Sequence, residues 1–369
     1  MHLASLSLRS YRNYAAFEAE LTSDVQVIVG DNAQGKTNLL EAISYLSALR
    51  SFRGTGTREL VRFGDAAARI AGRVASDAGT DDLAVTLTPE GRTATVNAKE
   101  PAAIADYLRV LPSVKFTPDD ILLLKGEGGP RRRALDRSVF GLTPSHFKHL
   151  LDYNRALKQK NALLRESDGV PDRAQLDAWN AALASSGARV LEGRLSFVGR
   201  MNPLVAGFFR EISGTEAKAA LRYRGVADRE RPALELEAVL LEELSRRERE
   251  EVSRGHSVVG PHRDDLGMEI AGRSVRKYAS QGQHRMFALA LKVAEIELHR
   301  RDLGRYPVLL LDDVKSELDR ERVRYLFGFL DKIPAQIFVT STDFRELEGE
   351  LSRPRVTWVV KAGIATRAP

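Results

Sequence analysis

A chain of 369 residues, 43% hydrophobic and 29% charged, is long for a single hydrophobic core, so two domains or one large α/β body with an insertion are expected. The absence of cysteine excludes a disulfide framework and any thiolate metal site, and suits a reducing cytosol. A formal net charge of +6 favours a polyanionic partner but is modest for this length, so the placement of the charge matters more than its total.

Residues 1–10 lack the basic flank and apolar core of a secretory leader, and aliphatic runs such as 121–124 and 308–311 are far too short to span a bilayer. The reading is of a cytoplasmic protein without a membrane partner. Short strands at 3–8 and 15–21 form a sheet edge that leads into a β-branched, buried strand at 25–29. Next come Gly30, Asp31, Asn32, Ala33, Gln34, Gly35, Lys36 and Thr37, two glycines four residues apart followed by Lys and Thr. A helix over 38–49 follows, opened by Asn38 and with Leu39, Leu40, Ile43 and Leu46 on its apolar face. A loop joining a strand to a helix in this way wraps nucleotide phosphates with backbone N–H groups. Lys36 then bridges the terminal phosphates and the Thr37 hydroxyl ligates Mg²⁺.

The basic stretch 51–56 reads as a mobile surface loop. Strands at 70–74, 83–88 and 93–97, separated by turns at 77–80 and 89–91, predict a meander beside the nucleotide sheet. After residue 114 the texture changes to long helical periods, which places a domain boundary there. Helices at 144–166 and 174–209, broken at 167–172, predict an antiparallel pair with Trp179 filling the space between them. Residues 131–200 hold 13 Lys and Arg against 7 Asp and Glu, making this region the best candidate for contacting a polyanion. A charged helix at 235–251 shows no such bias. Strand-like texture returns at 255–261, and Ser280 opens a new helix.

Two further motifs complete the chemistry. The strand 308–311 ends in Asp312 and Asp313, and a buried parallel strand there delivers Asp312 to the phosphate loop, where it holds Mg²⁺. Ser280, Gln281, Gly282 and Gln283, at a helix start, offer a hydroxyl, two amides and a dipole suited to a phosphate. His262 has no partner at ligand spacing and reads as a structural hydrogen-bonding group at a lobe junction.

The order of phosphate loop, Ser280–Gln283, Asp312-Asp313 and then Ser316-Glu317-Leu318-Asp319 resembles the ABC-type ATPase heads of the RecF/SMC/Rad50 group. Within that group the strings Arg12-Asn13-Tyr14, Pro118-Asp119-Asp120, Leu157-Lys158-Gln159-Lys160-Asn161 and Gly260-Pro261-His262-Arg263-Asp264-Asp265-Leu266 resemble the RecF family of DNA-repair proteins. Only 243 residues separate Thr37 from Gln281, too few for the long coiled coil of the SMC and Rad50 relatives.

The resemblance implies an α/β fold: an ABC-type ATPase head, with a P-loop NTPase sheet and an antiparallel β subdomain, plus a helical lobe bearing a short antiparallel arm. In sequence this gives an N-terminal ATPase part at 1–114, a helical DNA-binding lobe at 115–254 and a C-terminal ATPase part at 255–369. It implies ATP and Mg²⁺ as cofactors, with Lys36, Asp312 and Asp313 catalytic. It also implies an ATP-dependent homodimer in which Ser280, Gly282 and Gln283 of one chain contact the nucleotide held by the other, with residues 316–319 across that interface. Asp313 takes the place of the water-polarising Glu of transporters. Being one methylene shorter it reaches roughly 1 Å less far, which implies slow hydrolysis. The expected partners are DNA, bound without sequence preference as duplex near single-strand gaps or junctions, and mediator proteins of the RecR and RecO type. Its place is then the cytoplasm, on the nucleoid. Arg131, Arg132, Arg133, Lys158, Lys160 and Arg165 are the expected phosphate contacts.

Two departures from the pattern stand out. Ser341-Thr342-Asp343 occupies the place of a switch His, leaving the γ-phosphate sensor unassigned, and Gly128 stands where the family has Pro. Two alternatives are the nucleotide-binding subunit of an ABC transporter and a structural head that binds ATP without hydrolysing it. The transporter reading predicts a Glu at 313 and a switch His, neither of which is present.

Overall fold

The computed structural model describes residues 1–22, 24–167, 169–228, 231–343 and 352–368, and only the backbone of Glu317. Asp168 in the expected helix break and the Glu317 side chain therefore lie outside the described residues. The strands are β1 (His2–Tyr11), β2 (Tyr14–Glu20), β3 (Val25–Val29), β4 (Ala68–Ser76), β5 (Gly79–Thr88), β6 (Gly91–Val96) and β7 (Ser113–Phe116). They continue with β8 (Ala219–Arg224), β9 (Asp265–Ile270), β10 (Arg273–Ser274), β11 (Val308–Leu311), β12 (Ile337–Ser341), β13 (Arg355–Lys361) and β14 (Ile364–Arg367). The chain forms two compact units, Met1–Ile121 with Leu291–Pro369, and Leu122–Ala290.

The first unit holds two sheets. One has the order β14-β13-β3-β12-β11-β7 and is parallel except for β14. Its strands β3, β11 and β12 are buried at every residue, which explains the aliphatic run of β11 and the mostly apolar β3 and β12. The other sheet, β2-β1-β4-β5-β6, is antiparallel and contains the expected meander β4–β6. Strands β1 and β2 belong to this second sheet and are not an edge of the nucleotide sheet. Period-two alternation, with Leu6, Leu8, Tyr14 and Phe17 turned inward, gives such strands one core face and fits an antiparallel sheet. The buried amide of Gln336 joins the two sheets, accepting from the Leu3 N–H at 2.8 Å and donating to the Leu3 carbonyl at 2.9 Å.

The second unit is built on helices Ser145–Glu166 and Arg173–Ser213. His146 lies against Gly193 and Tyr153 against Gly187, so the two run antiparallel, and a side chain at Gly193 would collide with the His146 ring while one at Gly187 would crowd Tyr153. The seam between them is filled by Tyr153, Leu164, Leu176 and Leu183, whereas Trp179 is only half-buried, contrary to expectation. The expected charged helix divides into Ala233–Arg246 and Glu248–Arg254. Strands β8, β9 and β10 form a small antiparallel sheet of their own.

The unit boundaries thus differ from the breaks expected after residues 114 and 254. β7 pairs with β11 and stays in the nucleotide sheet, while β9 pairs with β8 and carries β10 with it, which keeps 265–274 in the helical unit. Both pairings are remote in sequence and leave no trace in local texture.

Candidate nucleotide site

The phosphate loop leaves β3 at its carboxyl end and runs into the helix Lys36–Ala48. Gly30 (φ 155°) and Gly35 (φ 118°) hold backbone angles that a side chain resists. A Cβ at Gly30 would strike the Val360 carbonyl, and one at Gly35 would meet the Asn13 amide. The helix has no side-chain cap and no acidic residue in its first turn, so its leading N–H groups and positive dipole end are available to an anion. Lys36 Nζ bends over the loop and donates to the carbonyls of Gly30, at 2.5 Å, and Asp31, at 2.9 Å. Burial pulls the Lys36 ammonium below its usual pKa, while Asp313, Asp312 and Asp31 pull it the other way.

The carboxylates come from β11. Asp312 is buried, and its Oδ1 accepts from Thr37 Oγ1 at 3.0 Å and from Thr340 Oγ1 at 2.9 Å. Its pKa is raised by burial, against the opposing hydrogen bonds from Thr340 and Thr37. Thr340 also accepts from the Asp313 N–H at 2.9 Å, so one hydroxyl of β12 fixes both carboxylate residues. Asp313 is exposed and sits in the left-handed region at φ 47°. A short polar side chain tolerates that conformation, and such strain gathers at functional sites. Asp313, Asn32, Thr342, Ser316, Arg320 and Arg324 are among the residues lining a cavity of about 570 Å³.

A ring of contacts braces the loop from outside. Arg12 forms a two-pronged pair with Glu41 of the phosphate-loop helix, Nε to Oε2 and Nη2 to Oε1 both at 2.9 Å. Asn13 Nδ2 donates to the Gln34 carbonyl at 2.9 Å, its Oδ1 accepts from Asn38 Nδ2 at 2.8 Å, and the Tyr14 hydroxyl donates to the Gly35 carbonyl at 3.0 Å. The turn between β13 and β14 clasps Gln34 through the N–H groups of Ala362 and Gly363. Gln34 is therefore engaged within the fold. The 51–56 stretch is not a loose loop either, because Ser51 donates to Glu41, Arg12 to Thr55, and Arg53 to Asn38. Thr340 and Glu41 are the site residues that motif reading missed. Thr340 stands at the carboxyl end of a parallel strand next to β11, where ligands bind in such sheets. Glu41 is a carboxylate on an apolar helix face, which demands a cation.

The sequence profile of the RecF/RecN/SMC N terminal domain family matches residues 2–361. The DNA replication and repair protein RecF of Anaeromyxobacter dehalogenans is 41% identical over 373 residues, covering 99% of each chain. The chain belongs to the RecF family. A solved structure of the recombination mediator protein RecF-ATPrS in the RecFOR pathway superposes with a TM-score of 0.91 at 30% identity, covering 100% of this chain and 98% of that one. The Smc head domain of Pyrococcus furiosus, with a TM-score of 0.56 and 16% identity over 100% of this chain and 96% of that one, shares the fold. The ABC-type ATPase head is thereby established. The transporter alternative is set aside, because a RecF relative is matched from end to end.

Within the helical unit of this RecF-family chain, Ser280 and Gln283 close a reciprocal cap on the helix Gln281–Leu303. Ser280 N–H donates to Gln283 Oε1 at 2.9 Å, and Gln283 N–H donates to Ser280 Oγ at 3.2 Å. Ser280 and Gly282 are exposed. Phosphate loop, Asp312 and Asp313 thus belong to the first unit, and Ser280–Gln283 to the second.

Two of the expected phosphate contacts are corrected. Lys160 is fully buried and pairs with Glu251 at 2.5 Å, and Arg131 is 5% exposed, with Nε and Nη2 on Asp265 and Nη1 on the Gly126 carbonyl. Their charges are consumed internally. The same Arg131 guanidinium reaches the carbonyl of Gly126, just before the helix Gly128–Leu142. His262 has the structural role expected of it, with Nδ1 at 2.5 Å from the Tyr153 hydroxyl and Nε2 facing the Ser257 carbonyl. Arg132, half-buried, donates to the Asp264 carbonyl, while Arg133, Lys158 and Arg165 are exposed.

Proposed function

We propose that this protein is an ATP-hydrolysing, DNA-binding member of the replication and repair machinery that dimerises around ATP and holds duplex DNA near single-strand gaps. The observation that carries the nucleotide half of the reading is the junction of Lys36, Thr37, Asp312 and Thr340 at the ends of adjacent parallel strands. On binding ATP, Lys36 exchanges the Gly30 and Asp31 carbonyls for oxygens of the terminal phosphates, and the helix N-terminus receives the others. The Thr37 hydroxyl and Asp312 carboxylate, 3.0 Å apart, are hard oxygen donors that fit Mg²⁺, a cation that takes one or two protein carboxylates and completes its shell with phosphate and water. When bound, Mg²⁺ neutralises charge on the phosphates.

Asp313 is the group to orient the attacking water, because it is exposed beside the loop and is the strongest of the three carboxylates acting on Lys36. Its short reach and its fixed left-handed backbone favour slow turnover, suited to a timed clamp. In this reading Ser280, Gly282 and Gln283 meet the nucleotide held by a second copy, with residues 316–319 across the same interface. Gly30 to Gly35 and Asn38 shape the phosphate cradle, with Gln34 and Asn38 acting through the brace. DNA is engaged without sequence preference, and mediator proteins of the RecR and RecO type are then recruited. The family membership and the surplus of cations on the helical unit support this half of the reading.

A hydrolysis assay with and without gapped duplex tests it. ATP turnover that DNA stimulates and that Lys36→Met abolishes is expected; a rate near ~100 s⁻¹ without DNA would contradict the clamp timing.

A further inference from the structure

The helix Ser145–Glu166 carries Lys148, Arg155, Lys158 and Arg165 on its surface, all exposed. At 3.6 residues per turn the four fall within an arc of about 100° and extend over about 25 Å of helix. None of them makes a hydrogen bond or ion pair with a described residue. Arg133, Arg210, Arg249, Arg273 and Arg276 of the same unit are also exposed without a partner among the described residues, but each lies singly on its own element, and the other exposed arginines are engaged. Arg173 pairs with Asp177 and Glu248, Arg189 with Glu192, Arg222 and Arg224 with Glu269, Arg246 with Glu243, and Arg254 with Glu250. The same helix also carries the exposed acids Asp152 and Glu166 beside the stripe. Burial, and then His146 and Arg189, hold the His149 imidazole below its ordinary pKa, with Asp152 opposing and Lys148 adding less.

We propose that this stripe is the surface on which the protein tracks the phosphate backbone of duplex DNA, an inference that rests on the DNA-binding reading above and assigns it to one helix face. A run of about 25 Å matches roughly seven base-pair steps, over which a duplex presents a regular line of phosphates. The side chains suit that ligand. Asn154 and Gln159 flank the cations and are exposed, and such amides commonly join Lys and Arg on phosphate oxygens. The one large apolar group exposed along the stripe is Leu151, and no exposed aromatic side chain lies on it, Phe147 at its edge being partly buried against Phe140, whereas protein interfaces gather aromatics and avoid Lys. An acidic protein partner is the less suited occupant on this ground.

The experiment measures duplex binding by the full chain, with ATP, between 50 and 200 mM salt. The stripe variant is Lys148→Gln, Arg155→Gln, Lys158→Gln and Arg165→Gln together. Its control removes the same four charges from paired positions, Arg222→Gln, Arg224→Gln, Arg246→Gln and Arg254→Gln. With about 0.9 counterions released per phosphate contact, the salt slope of the stripe variant falls by about 3 to 4, and affinity at 50 mM salt drops by about a hundredfold. The control keeps most of its slope. ATP hydrolysis without DNA, measured in all three proteins, stays at the wild-type rate and reports that each is folded. Equal losses in both variants reduce the effect to net charge and overturn the proposal. An unchanged slope in the stripe variant overturns it too, and returns the surface to a protein partner. If the wild type binds no duplex, the DNA-binding reading falls together with the stripe.

Discussion

The ion pairs of the helical unit and the carboxylate of the nucleotide site treat buried charge differently. In the helical unit three carboxylates meet a cation, Asp136 clasped by Arg194 and His146, Asp265 by Arg131 and Glu251 by Lys160, while Asp264 accepts from the Tyr223 hydroxyl. Burial pushes Asp136 up, but His146 and Arg194 outweigh it and hold its pKa below the usual range. At the nucleotide site Asp312 receives only hydroxyls, its pKa is raised, and Lys36 is spent on backbone carbonyls. Balanced charges hold a fold together; charges left unbalanced beside a phosphate cradle await an anion and a cation from outside.

Substitutions test this contrast from both sides. The largest effect is expected at the unbalanced site. Asp312→Asn should lower ATP hydrolysis at least a hundredfold, about 2.7 kcal/mol or more of lost transition-state stabilisation, while the melting temperature stays level or rises, because a destabilised carboxylate is removed. A large fall in stability would show that Asp312 is a structural group like Asp136. On the balanced side, Lys160→Met strands Glu251 and should cost about 3–5 kcal/mol in denaturant unfolding, with ATP affinity unchanged. Adding Glu251→Gln, which keeps an acceptor for Ser257 and the Val258 N–H, should recover part of the loss.

A smaller effect divides the balanced region itself. Burial raises Asp264 from 3.8 to about 6 and lowers His262 from 6.5 to about 4. The Asp264 contribution is complete below pH 4 and is lost as pH rises through 6, whereas that of His262 is complete above pH 6.5 and is lost as pH falls through 4. Between pH 4 and 6.5 the two slopes oppose each other and nearly cancel. His262→Gln should unmask a decline of about 2 kcal/mol with rising pH, and Asp264→Asn a gain of similar size over the same window. Unfolding curves at pH 4.5 and 6.5 decide; parallel behaviour of the two variants would contradict the assignment. The smallest effect belongs to the brace. Asn13→Ala removes two hydrogen bonds to the phosphate-loop region and should weaken ATP binding by about three- to tenfold, read by titration.

Much of the nucleotide site was legible because its chemistry is local. Val25 to Lys36 is one strand, one loop and one helix start, so composition and spacing suffice, and the aliphatic run before Asp312 announces a buried parallel strand. The meander and the antiparallel arm were readable for the same reason, through alternation and helical period. What sequence reading missed depends on pairing at a distance. β7 joins β11 across almost two hundred residues of chain, and β1 pairs with β4 instead of bordering the nucleotide sheet. Lys160 looked like one more cation on a basic helix, because nothing nearby in sequence reveals Glu251 on the helix Glu248–Arg254. Arg131 was misread likewise: three successive arginines resemble a phosphate-binding run, but helical geometry turns one inward onto Asp265 while Arg133 faces solvent.

The central claim is that ATP completes this protein by joining two copies on DNA. Sedimentation velocity with ATP, with ADP and with the Lys36→Met variant, each with and without gapped duplex, tests it most directly. The account predicts dimer and retained DNA with ATP alone, and monomer with ADP or with the variant. Equal sedimentation in ATP and ADP, with DNA retained equally in both, would contradict it.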